Sequence, residues 1–179
     1  SIARRWIEKN NLEVAKELYD EAYDTIPDYS FLINRGVVRL KLKEYEEAEG
    51  IFELGTTQRP RSPYTHFMLG MARYYMNNDD LAAKSMDRAI DLQPDHKEAF
   101  LYRGFIEHRN GRDQNALELM TSAIQLDPDY EEAHFNLAVL HSLMKNKKMA
   151  RKCYNDALRA GLSPNIEFER EIGINKASS

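Results

Sequence analysis

AIDLQP, residues 89–94, returns 34 residues later as AIQLDP, residues 123–128. Alanine, isoleucine, leucine and proline keep their places, while Asp91 and Gln93 become Gln125 and Asp127. The same interval runs through most of the chain. It relates Gly36, Gly70, Gly104 and Ala138, and likewise Ala48, Ala82, Ala116 and Ala150. A third series is Gly55, Ala89, Ala123 and Ala157; a fourth is Pro60, Pro94 and Pro128, with Leu162 where another proline would fall. Self-similarity at a fixed period of this length is the signature of stacked repeats.

Within one period the apolar pattern is helical. Phe100, Leu101, Phe105 and Ile106 recur at helix spacing, Asn110-Gly111 signals a turn, and Leu117, Met120, Ala123 and Ile124 form a second stripe. Each repeat therefore reads as two antiparallel helices, a first and a second. Comparable turns fall at Asn10-Asn11, Lys43-Glu44, Asn77-Asn78 and Lys145-Asn146. Gly or Ala at the recurring small positions lets helix axes approach closely. Proline ends the second helix because it lacks the N–H and clashes with the preceding turn. Ser62-Pro63 and Ser163-Pro164 read as helix starts, Ser as cap and Pro at the first helical position.

The pattern resembles the tetratricopeptide repeat. With Lys97 as the first position of a repeat, the family's small eighth residue is Gly104, its alanines at positions twenty and twenty-seven are Ala116 and Ala123, and its closing proline is Pro128. The resemblance implies an all-α, right-handed superhelical solenoid of antiparallel helix pairs. Full repeats span 29–62, 63–96, 97–130 and 131–164, preceded by a partial repeat over 1–28 that begins partway through a first helix. Residues 165–179 read either as a capping helix or as the start of another repeat, with the tail INKASS frayed. Two departures concern packing. The usual aromatic at the eleventh position is Arg39, Arg73, Glu107 and His141, and Arg35 and Arg103 replace the usual leucine at the seventh.

Composition narrows function by exclusion. A formal net charge of −4 argues against non-specific nucleic-acid binding, which needs a basic surface. The single cysteine, Cys153, cannot close an internal disulfide, and its place on the inner stripe of a second helix reads as a small buried hydrophobe. No apolar run is long enough for a membrane helix, and SIARRWIEKNN has no signal-peptide core, so neither cytoplasm nor bacterial periplasm is selected. The absent initiator Met and the partial first repeat read as a piece of a longer protein.

No catalytic constellation, cofactor loop or metal-ligand spacing emerges. His134 and His141 stand seven apart at packing positions, too far for the usual i, i+4 ligand pair. Glu44, Glu46, Glu47 and Glu49 read as a solvated outer face, and Lys145, Lys147, Lys148, Arg151, Lys152 and Arg159 as a solvated basic one.

The resemblance implies that first helices line a concave face that binds a peptide or helix of a partner protein. The candidate contacts are Tyr64, Phe67, Met71, Tyr74 and Tyr75 in one repeat, Leu101, Phe105, His108 and Arg109 in the next, and Phe135 in the last. Aromatic residues and Arg dominate binding hot spots. A carboxylate-binding groove of the chaperone-tail type is excluded, since Ile33, Val37, Met68, Glu98 and Tyr102 occupy its Lys, Asn and Arg positions. An asparagine ladder is excluded too, since Met68 and Tyr102 interrupt Asn34 and Asn136. The chain is thus expected to be a non-enzymatic scaffold. The other readings are a substrate-positioning or regulatory arm of a larger enzyme or assembly complex, and a module that pairs as a homodimer through exposed terminal repeats.

Overall fold

A computed structural model describes residues 11–174. All regular structure among them is α-helical: α1 (Leu12–Thr25), α2 (Tyr29–Lys41), α3 (Tyr45–Gln58), α4 (Pro63–Tyr75), α5 (Asp79–Leu92), α6 (Lys97–Arg109), α7 (Asp113–Leu126), α8 (Glu131–Leu143), α9 (Lys147–Ala160) and α10 (Ile166–Glu171). They form two compact units, divided after Pro94. The expected helix before Asn11 and the fraying after Ile174 lie outside the described residues.

Helix ends have local causes. Ser62 Oγ accepts from Thr65 N at 3.3 Å with Pro63 in the first turn, so the expected start of α4 is correct. The expected start at Ser163-Pro164 is not: α10 begins at Ile166, and Asn165 Oδ1 caps it by accepting from Phe168 N at 3.0 Å. Helices α3, α5 and α7 each stop two residues before Pro60, Pro94 and Pro128. After α9, where Leu162 replaces proline, Gly161 ends the helix in the left-handed region, at φ 115°.

The turns inside the pairs are also periodic. Lys43, Asn77, Gly111 and Lys145, each 34 apart, adopt φ of 65°, 60°, 73° and 59°. The next residue then donates its N–H to the carbonyl of the eleventh repeat residue: Glu44 to Arg39, Asn78 to Arg73, Arg112 to Glu107 and Asn146 to His141, at 2.8–2.9 Å. This closes the first helix with a Schellman bond and reverses the chain.

In the first unit, α1 to α5 pack successively, each on the next. Leu32, Val38, Phe52, Ala72 and Met86 are buried there. The small eighth residue has a specific cause: a Cβ on Gly36 would stand 2.6 Å from Phe52, and one on Gly70 would stand 2.8 Å from Met86. In the second unit, α6 to α9 also pack successively. Its core gathers Leu101, Met120, Leu137, Leu140, Cys153 and Tyr154. Short α10 adds Phe168 and Ile172 to that core. Tyr154 holds the segment in place, accepting from Asn165 N at 2.7 Å and donating to Glu169 Oε1 at 3.1 Å.

Candidate functional site

Helix α4 positions five of the candidate contacts, and they divide by depth. Phe67 is only 8% exposed and serves the core. Met71 and Tyr74 are half-buried, whereas Tyr64 and Tyr75 are exposed. Tyr75 is 41% exposed yet held by other rings. It stacks on Tyr45 at 5.2 Å and meets Tyr74 edge-on at 5.4 Å. These separations suit aromatic attraction, so the rings form a fixed surface at the end of α4.

In the second unit the candidates divide in the same way. Leu101 is wholly buried and offers a partner no surface. Phe105 is half-buried with Tyr102 edge-on at 5.3 Å. His108 Nδ1 lies 2.7 Å from Asp113 Oδ1, and Arg109 is exposed. Phe135 packs against Phe168 of α10 at 5.3 Å, which makes it a support for the terminal segment.

Three of the four eleventh-position departures, Arg39, Arg73 and Glu107, are built polar sites. Arg39 and Arg35 both bind Asp20, each at 2.7 Å. Burial alone raises the Asp20 carboxyl, but the two guanidinium groups outweigh it and hold it below the usual range. Arg73 donates from Nε to Glu49 at 2.7 Å, from Nη2 to Glu53 at 2.5 Å and from Nη1 to Ser85 Oγ at 3.0 Å. Glu107, 3% exposed, receives Arg112, Arg103 and Asn115. The Arg112 hydrogen bond, aided by Arg103, holds its carboxyl at about 2. His141 lacks such a partner: its Nδ1 is buried without a hydrogen bond among the described residues, and burial lowers its pKa.

Sequence reasoning placed Glu49 on a solvated face. Glu46 and Glu47 are exposed, but Glu49 is turned inward by Arg73 and Glu44 pairs with Lys16. The signal lay in the coincidence of a charge at a packing position and a carboxylate on the adjoining second helix. His66 and His134 are structural groups: each places Nε2 within hydrogen-bond reach of a carbonyl, that of Pro60 and of Pro128, at 3.0 and 2.9 Å.

Two outer clefts occupy corresponding places in the two units. The first, about 500 Å³, has Arg73 in its lining along with Glu53, His66, Lys84, Ser85 and Arg88. The second, about 430 Å³, has His141 and Cys153 at the matching positions, with Leu117, Thr121 and Met149 nearby. No group of three potential metal ligands occurs among the described residues, and no helix among them is long and apolar enough to cross a membrane.

Residues 2–63 and 67–131 match a tetratricopeptide repeat profile, and residues 108–166 match a second profile of the same description. The chain belongs to the tetratricopeptide repeat family. No curated protein matches its sequence. Solved tetratricopeptide repeat structures share its fold. TTC0263, a thermophilic protein of this family from Thermus thermophilus, is 18% identical with a TM-score of 0.81, over 97% of this chain and 94% of that one. PilF of Pseudomonas aeruginosa is 17% identical with a TM-score of 0.82, over 97% of this chain and 81% of that one. YrrB, described as having an unusual peptide-binding site, is 22% identical with a TM-score of 0.70, over 97% and 89%. At these identities the likeness establishes the all-α tetratricopeptide fold.

Proposed function

We propose that the chain is a non-catalytic interaction module whose first-helix faces hold a peptide or helix of a partner protein. Membership of the tetratricopeptide family supports this, since stacked repeats offer preformed surfaces for partners. The observation that carries it is the exposed, ring-braced Tyr75, with Tyr45 and Tyr74 on either side. Rigid aromatics lose little conformational freedom on binding and so make good anchors.

In the first unit the contacts are Tyr64, Met71, Tyr74 and Tyr75; in the second they are Phe105, His108 and Arg109. Phe67, Leu101 and Phe135 support these surfaces from behind. The test is affinity capture from the native host with wild-type bait and with Tyr74→Ala/Tyr75→Ala, followed by identification of the bound proteins. The expected result is loss of a specific partner at unchanged helicity. Equal capture by both baits overturns the assignment.

A further inference from the structure

The outer cleft of the first unit has a composition that packing does not require. Arg73 is half-buried, and its partner Glu49 is already turned inward to meet it at 2.7 Å. Glu53 is different: its side chain is 55% exposed although it reaches Arg73 Nη2 at 2.5 Å. With its carboxylate open to water, this pair is weaker and more readily exchanged than the Arg73–Glu49 pair. Across the cleft, Lys84 and Arg88 stand one turn apart on α5, both exposed, and neither pairs with a carboxylate among the described residues. Like charges at this spacing repel each other. By helical spacing Asp87 and Asp91 lie on the far side of Lys84 from Ser85, which lines the cleft.

The corresponding cleft of the second unit provides an internal contrast. There the places of Arg73, Glu53 and Arg88 are taken by His141, Thr121 and Asp156, while Lys84 is matched by Lys152, so the two arginines of the cationic set are particular to the first unit. A cleft of about 500 Å³ admits one or two side chains of a partner rather than a large ligand. By helical spacing His66, Leu69 and Arg73 lie on the face of α4 opposite Tyr64, Met71 and Tyr75.

We infer that this cleft is a second binding site, for the carboxylate side chains of an acidic peptide segment, with Glu53 occupying it as an internal stand-in. Arg73 and Arg88 offer planar forks suited to carboxylate, and Lys84 adds a point charge. An incoming carboxylate displaces Glu53 from Arg73 and relieves the Lys84–Arg88 repulsion. The formal net charge of −4 opposes indiscriminate polyanion binding, so recognition must be local.

Fluorescein-labelled hexaglutamate is titrated with the protein at low salt and followed by anisotropy. Saturable binding is expected, about tenfold weaker in Lys84→Ala/Arg88→Ala and about threefold tighter in Glu53→Gln. Both sets are surface changes, and circular dichroism checks that helicity is kept. Lys147→Ala/Lys148→Ala on α9 and Tyr74→Ala/Tyr75→Ala on α4 are expected to leave binding unchanged, which keeps this site distinct from the aromatic face. Inorganic phosphate is the competitor: displacement at concentrations well below those of chloride reassigns the site to phosphate rather than carboxylate. Absence of saturable binding in both wild type and Glu53→Gln overturns the inference. So does an equal loss in the α9 variant.

Discussion

Arg73 on α4 and Glu49 on α3 meet at 2.7 Å, at the repeat position where the tetratricopeptide family places an aromatic ring. The pair joins the first helix of one repeat to the second helix of the repeat before it. A charge thus does, with direction and a specific partner, what a ring does by contact area.

Removing one member strands the other in a poorly solvated place. Arg73→Leu is expected to destabilise the fold by about 2–4 kcal/mol, since Glu49 keeps its desolvation cost and loses its partner. The double change Arg73→Tyr/Glu49→Leu removes both charges and is expected to recover most of that loss. Urea unfolding of the two variants checks the order, and a double variant less stable than Arg73→Leu contradicts the pairing.

Lys43 and Lys145 hold φ of 65° and 59°, a region where a Cβ is strained. Gly111 shows the unstrained solution at the corresponding turn. Lys43→Gly and Lys145→Gly are each expected to stabilise by about 0.5–1 kcal/mol, after allowing for glycine's greater freedom when unfolded. Asn77→Gly is expected to gain less, because Asn tolerates this conformation. Thermal or urea midpoints of the three variants give the comparison.

Glu107 has a folded pKa of about 2 against an ordinary 4.5. Its folded value is the lower one, so the unfolded chain binds the proton more tightly. The stabilisation is complete above about pH 4.5 and is lost as pH falls towards 2. Glu107→Gln, which leaves Arg103 and Arg112 unneutralised, is expected to be markedly less stable than wild type at pH 6. The gap is expected to narrow as pH falls through this window. Denaturant titrations at pH 6, 4 and 3 follow the difference; a gap independent of pH contradicts the ion cluster.

The period of 34, the proline stops and the turn positions were legible in the chain because each depends on a few local residues. Proline cannot continue a helix it follows, and a Schellman turn demands a left-handed residue whatever its neighbours are. The small eighth position was legible as close approach, although only packing shows that Phe52 and Met86 are what Gly36 and Gly70 accommodate. The α10 start was misread because Ser-Pro and Asn compete as caps over three residues, and local chemistry does not rank them. The aromatic face was legible in outline. Its depth was not: Phe67, Met71 and Tyr75 share a helical stripe, and burial of one and exposure of another depends on what the adjoining helices cover.

The sequence by itself determined the family, the all-α class and, the start of α10 apart, the places where helices begin and end, since periodicity and backbone chemistry are local. Only the tertiary structure decided what the irregular residues do. Arg73 and Glu49 lie 24 residues apart on different helices, and Arg39 meets Asp20 across 19. Whether such charges are solvated, paired or poised for a ligand depends on which helix packs beside them, because the strength of a charge interaction is set by its distance and by the water it excludes.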